Sequence, residues 1–196
     1  MKKILTLIAL AAGTGAVFSQ GIVNFNNNVF NPLTGPPDHS VYAFSWNGPV
    51  TTDLTGTQYV AELYVGPNAS SLSPLTASLS RFRVTGTTFP GTWSGKNPVA
   101  LGMGGIGVPV ILDVRVWDTT VASSYEAVST AANGYGFGES GPFTYTQVLS
   151  SPSVPSDTFM VGMPAFWVSV PEPSAIAFSI LGIIGLLLFR RQKPKR

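Results

Sequence analysis

From Val108 to Trp117 the chain alternates. Val108, Val110, Leu112, Val114 and Val116 occupy every second position, with Asp113 and Arg115 between the later ones. Successive side chains of an extended chain point to opposite faces, so a period of two puts the five aliphatics on one side and the charged pair on the other. The pattern predicts a strand half-buried against a core. A chain built round such a strand must pair it with others.

The partners are legible nearby. Val41–Trp46 is rich in β-formers, and Thr57–Val65 places Tyr59, Ala61, Leu63 and Val65 on one face. Ser78–Val84 sets Leu79, Arg81 and Arg83 against Phe82 and Val84, and Phe143–Val148 and Phe159–Val168 complete the set. Pro164 interrupts the last, which predicts an edge or a bulge there. Glycine, proline, asparagine and serine separate these runs. Ser123–Ala132 is the one stretch where a helical turn is expected, and Ser150–Ser156 reads as a loop. About seven or eight short strands with regular turn signals predict an all-β body, an antiparallel β-sandwich with a jelly-roll arrangement as a variant.

Charge is concentrated at the ends of the 196 residues. Lys2, Lys3, Arg190, Arg191, Lys193, Lys195 and Arg196 leave only Arg81, Arg83, Lys96 and Arg115 for the body, against nine acids between Asp38 and Glu172. Four bases and nine acids give residues 20–172 a net charge of −5. The basic pI of about 9.0 belongs to the tails, and a nucleic-acid partner is not expected. There is no cysteine, so neither disulfides nor thiolate chemistry arise. A single histidine, His39, excludes multi-histidine metal sites.

Both ends read as topogenic. Lys2 and Lys3, the apolar run Ile4–Ala12 and the small residues up to Ser19 follow the order of a secretory signal peptide, residues 1–19. Val17 and Ser19 suit the small pockets of a signal peptidase, which predicts cleavage between Ser19 and Gln20; Ala16 is the alternative. The body then spans residues 20–170. At the far end Ser174–Phe189 is uncharged and mostly apolar, and five positive charges follow within seven residues. Sixteen residues at 1.5 Å rise give roughly 24 Å, which snorkelling arginines and local thinning can fit to a bilayer. The basic run fixes that end on the cytoplasmic side, so the body lies outside.

Pro171-Glu172-Pro173, then the short apolar helix, then the Arg-rich end, resembles the PEP-CTERM sorting signal over residues 171–196. The resemblance implies an exported protein of Gram-negative-type bacteria. It implies processing at Pro171, Glu172 and Pro173 by an exosortase, a membrane protease of transpeptidase type. It also implies a link to exopolysaccharide or biofilm production. The physical logic agrees: flanking prolines keep the motif extended and accessible to a protease cleft. Arg115-Val-Trp-Asp118 followed by Ser124-Tyr-Glu-Ala127 is similar to a pattern recurring in exported proteins of this type, without a catalytic role.

Within the body, Gly102, Gly104 and Gly107, and Gly136, Gly138 and Gly141, satisfy G-x-G-x-x-G. Each run leads to a proline and a strand rather than a helix N-terminus, so both read as β-loops and no dinucleotide cofactor is expected. Asp113, Asp118 and Glu126 form the best carboxylate group, with Asp113 and Arg115 read as a surface ion pair. No loop gathers enough acids for calcium. His39, in Pro-Pro-Asp-His-Ser, reads as solvated and outside any triad. Of Trp46, Trp93, Trp117 and Trp167, the one expected at the surface as a sugar contact is Trp93, in Pro90-Gly-Thr-Trp-Ser-Gly-Lys96. Catalytic residues, cofactors and metals are not expected. The leading expectation is a non-enzymatic cell-surface or matrix protein, transiently anchored in the inner membrane. Its partners would be a signal peptidase, an exosortase-type protease, the membrane and extracellular polysaccharide. A carbohydrate-binding module is the alternative and a secreted hydrolase the third.

Overall fold

The computed structural model describes residues 21–28, 38–45, 48–132, 134–148 and 158–171. The signal peptide, the Ser19–Gln20 junction, Trp46, Glu172, Pro173 and the apolar segment 174–189 lie outside the described residues. Pro171 is the last described one.

The body is all-β. In chain order its strands are β1 (Ile22–Phe25), β2 (Val41–Ser45), β3 (Gly48–Asp53), β4 (Tyr59–Gly66), β5 (Ser73–Arg81), β6 (Lys96–Ala100), β7 (Pro109–Asp118), β8 (Phe137–Glu139), β9 (Phe143–Thr146) and β10 (Phe166–Ser169). One short helix, α1 (Tyr125–Ser129), lies between β7 and β8. Among the described residues no helix is long and apolar enough to cross a membrane.

The alternating strand is the centre of the largest sheet. One edge of β7 pairs antiparallel with β4 along its length, from Tyr59 opposite Asp118 to Gly66 opposite Ile111, and β5 pairs with the far side of β4. The other edge of β7 is shared: β9 takes Pro109 to Leu112 and β8 takes Arg115 to Trp117. Ser140 closes the gap. Its N–H donates to the Val114 carbonyl at 2.9 Å, and its Oγ accepts the Val114 N–H at 2.9 Å. No ladder group of β7 is left open there, as buried backbone demands.

Among the described residues there are two smaller sheets, β1 with β6 and β10–β2–β3. A single core joins all three. Ala61, Leu63, Val110, Leu112, Val114 and Val116 of the large sheet share it with Val23, Phe25 and Val99 from the pair and Val41, Phe166 and Val168 from the other sheet.

Three sequence expectations need correction. The strand at 109–118 is covered on both faces: Trp117 of β7 and Val60 of β4 are roofed by Tyr125 and Val128 of α1 in a second apolar cluster. Ser124 caps the helix, its Oγ accepting the Ala127 N–H at 3.3 Å. A helix of five residues holds through this packing rather than by itself. The pairing is not wholly antiparallel either. β10 runs parallel to β2, with Phe166 opposite Val41 and Ser169 opposite Phe44. The long connection after β9 gives the chain room to enter that sheet in the same direction as β2. Finally, Phe159 makes only an isolated bridge to Asn24, and the last strand begins after Pro164.

Candidate functional site

Two of the exposed aromatic residues, Phe44 and Trp167, lie on the outer face of the β10–β2–β3 sheet; the exposed Phe89 lies apart, in the connection between β5 and β6. Val41 of β2 and Phe166 and Val168 of β10 point into the core, so by alternation Tyr42, Phe44 and Trp167 point away from it. Tyr42 and Trp167 are direct partners across the parallel ladder. Their ring centroids are 6.1 Å apart, with planes inclined by 32°. Trp167 is 53% exposed and Phe44 37%. Solvent-facing Trp on a strand carries no packing explanation, and paired aromatics of this kind offer a flat apolar platform.

Carboxylates border the platform. Asp38 Oδ2 accepts the Tyr42 hydroxyl at 2.7 Å, and its Oδ1 accepts the Ser40 N–H at 2.9 Å. Asp53 of β3 stands opposite Tyr42 in the antiparallel register, on the same face. Partial burial pushes Asp38 up, but the hydrogen bonds from Tyr42 and Ser40 outweigh it and hold the carboxyl below its ordinary value. The hydrogen bond to Asp38 pushes the Tyr42 hydroxyl up, with burial and the charges of Asp38 and Asp53 adding to it.

Trp93 is not at the surface; the expectation of a sugar contact there is wrong. It is fully buried, its ring 4.8 Å from Phe25 and 5.8 Å from Phe82. Its Nε1 donates to the Phe25 carbonyl at 3.2 Å, and its backbone N–H donates to Asn27 Oδ1 at 3.2 Å. Buried Asn27 also donates to the carbonyls of His39 and Gly91. The glycine-bounded segment folds inward because these partners satisfy its polar groups.

The carboxylate group forms round Arg115, though not as a surface pair. Arg115 Nε lies 2.9 Å from Asp113 Oδ2, and the Asp113 side chain is 2% exposed. The guanidinium lies over the rings of Tyr64 and Tyr125, at 4.1 and 4.9 Å from their centroids. Those tyrosines donate to Glu126 Oε1 at 2.6 Å and Glu139 Oε2 at 3.0 Å, and both acids lie 3.6 Å from Arg115. Burial pushes Asp113 up despite Arg115. Glu62, opposite Arg115 in the ladder, is buried and has no ion pair among the described residues. Burial pushes it up, and the nearby Glu126 adds to this. Partial burial also pushes Glu126 up, but the Tyr64 hydrogen bond and Arg115 pull it below its ordinary value. The arrangement is a clamp that ties α1 and β8 to β4 and β7. Asp118 stands apart, its Oδ1 accepting the Thr120 N–H and hydroxyl at 2.8 and 2.6 Å to fix the turn after β7.

His39 also departs from expectation. It is buried, with Nδ1 2.5 Å from the Met163 carbonyl oxygen, so it fastens two loops. Neither glycine motif opens a helix: Gly102, Gly104 and Gly107 take left-handed φ in the turns before β7, and Gly138 lies within β8. Among the described residues no group of three or more His, Cys, Asp or Glu is arranged to hold a metal ion.

Comparison with known protein families, curated proteins and solved structures finds no match. The strands that carry Tyr42 and Trp167 were within reach of the sequence as runs of β-formers, Val41–Ser45 and Phe166–Ser169, but neither alternates, so which of their aromatics face outward was not. Nor was their adjacency, because it depends on a parallel pairing of strands far apart in the chain.

Proposed function

We propose that this chain is a non-enzymatic exported protein of the bacterial cell surface or extracellular matrix, a β-sandwich that holds polysaccharide on its Tyr42–Trp167 face. The observation that carries the binding role is the pair itself, an exposed Trp167 beside a half-buried Tyr42, two neighbouring rings bordered by carboxylates. The C–H face of a pyranose is apolar and stacks on such rings, while carboxylate oxygens accept from its hydroxyls. Export and sorting rest on the signal-peptide pattern and on the PEP-CTERM-like tail, with Pro171, Glu172 and Pro173 as the processing motif. The reading is non-enzymatic because the charged groups round Arg115 are engaged in holding α1 and β8 in place.

The test follows the full chain in the producing bacterium. Immunoblots of membrane, surface and medium fractions should find it outside the cytoplasm, starting at Gln20. Glu172→Ala should accumulate the membrane-bound form with its tail intact. Protein recovered outside the cell should be retained on the producer's own polysaccharide, and Trp167→Ala should abolish that retention without loss of fold. An intact Met1, or retention unaffected by Trp167→Ala, would overturn the corresponding half of the proposal.

A further inference from the structure

We infer that the polysaccharide held on the Tyr42–Trp167 face is one that carries protonated amino groups. This rests on the proposed glycan-binding role of the same face and adds the charge of the ligand.

Geometry and charge both point to a cationic ligand. Asp38 is joined to the Tyr42 hydroxyl at one border of the platform, and Asp53 is the cross-strand partner of Tyr42 on the same face. Hydrogen bonds from Tyr42 and Ser40 keep the Asp38 carboxyl below its ordinary value, so it is charged at neutral pH. A ligand that stacks on the two rings therefore lies against carboxylate.

Among the described residues no lysine or arginine balances them, and the neighbouring His39 is buried with its Nδ1 against the Met163 carbonyl. The basic residues among the described ones are Arg81, Arg83, Lys96 and Arg115. Arg81 donates to the Thr57 carbonyl, Arg83 lies over Phe89, and Arg115 is held between Tyr64 and Tyr125. Lys96 belongs to β6, which pairs with β1 in a different sheet. The residues from 20 to 172 carry −5 in all. A uronate chain would meet uncompensated like charge on this face. A neutral chain would gain the stacking alone. A chain of free amino sugars gains stacking, cation–π attraction to Trp167 and Tyr42, and charge pairing with Asp38 and Asp53. Together these electrostatic gains amount to roughly tenfold in affinity at an exposed site.

The experiment compares two polymers of the same backbone coupled to the same beads, chitin with its amines acetylated and chitosan with them free, at a mildly acidic pH at which the free amines are protonated and Asp38 keeps its charge. Immobilised alginate serves as the uronate matrix and immobilised polylysine as the polypeptide matrix. The full-length chain in mild detergent is used, with near-ultraviolet circular dichroism as the control for fold. Chitosan should retain the protein about tenfold more strongly than chitin, and less so as salt is raised. Alginate coupled to the same beads should not retain the protein. Asp38→Asn with Asp53→Asn should reduce chitosan retention to the level of chitin, and Trp167→Ala, which leaves the net charge unchanged, should remove both.

Equal retention on the two polymers, or preference for alginate, would overturn the amino-sugar inference while leaving the glycan platform standing. Chitosan retention that survives Trp167→Ala would mark bulk charge attraction and overturn both. Failure to bind any glycan would overturn both as well, and binding of polylysine alone would make the occupant a basic polypeptide instead.

Discussion

Gly138 lies so close to Trp167 that a Cβ on it would collide with the Trp167 carbonyl oxygen. The contact joins β8 of the large sheet to β10 of the small one, next to a hydrogen bond of 2.7 Å from the Gly136 N–H to the Ser169 carbonyl. The backbone of β10, which carries Trp167, is thus held against β8 by a residue with no side chain. Gly138→Ala should lower stability by about 1–3 kcal/mol, because the obstacle is backbone and cannot rotate away. Urea unfolding measures it, and the retention of the variant on glycan should fall with the displacement of β10. A neutral outcome would show that β8 and β10 do not pack in this way.

Trp93 and Trp167 should behave oppositely. Trp93→Ala empties a fully buried site between Phe25 and Phe82 and should cost about 3–5 kcal/mol. Trp167→Ala removes a half-exposed ring and should change stability by no more than about 0.5 kcal/mol. Denaturation of the two variants side by side decides it. The reverse order would return Trp93 to the surface.

Arg115 neutralises a buried carboxylate, so its removal is expected to be severe. Arg115→Ala leaves Asp113 buried beside Glu62, Glu126 and Glu139 with no cation, which should cost about 3 kcal/mol. Arg115→Lys keeps the charge but loses the flat stack on Tyr64 and Tyr125, and should cost about 1 kcal/mol. Comparable unfolding midpoints for the wild type and Arg115→Ala would show that the clamp carries no stability.

Glu62 makes a pH-dependent contribution of definite sign. Burial raises its pKa above the ordinary 4.5, so the folded state holds the proton more tightly than the unfolded state. Stability from this group is therefore intact below pH 4.5 and falls as pH rises from there through the folded value. Glu126 and Asp38, held below their ordinary values, act in the opposite sense: their contribution is lost as pH falls through their depressed values. Glu62→Gln should accordingly raise Tm at pH 7 and leave it little changed at pH 4. The difference between variant and wild type should grow steadily with pH. A Tm gain at pH 4 equal to that at pH 7 would assign the effect to packing.

The sequence by itself determined the all-β class, the alternating strand at 108–117, the faces of β4, a helical turn within 123–132 and the looped nature of the first glycine motif; the second, read as a loop, has Gly138 inside β8. These are local properties: a period of two and the punctuation of turn residues are written in neighbouring positions. β1, β3, β6 and β8 were not legible. Lys96–Ala100 buries only Val99, and Phe137–Glu139 contains a glycine, so both are strands because a partner supplies the ladder. Tertiary structure alone decided which aromatics face water. Trp93 stands among small and polar neighbours and Trp167 between Phe166 and Val168, yet the first is buried, because Phe25, Asn27 and Phe82 enclose it. Tyr42 and Trp167 form a platform because β10 runs parallel to β2, and no local signal specifies a pairing between segments so far apart. Burial and pairing depend on the whole chain, and alternation depends only on the next residue.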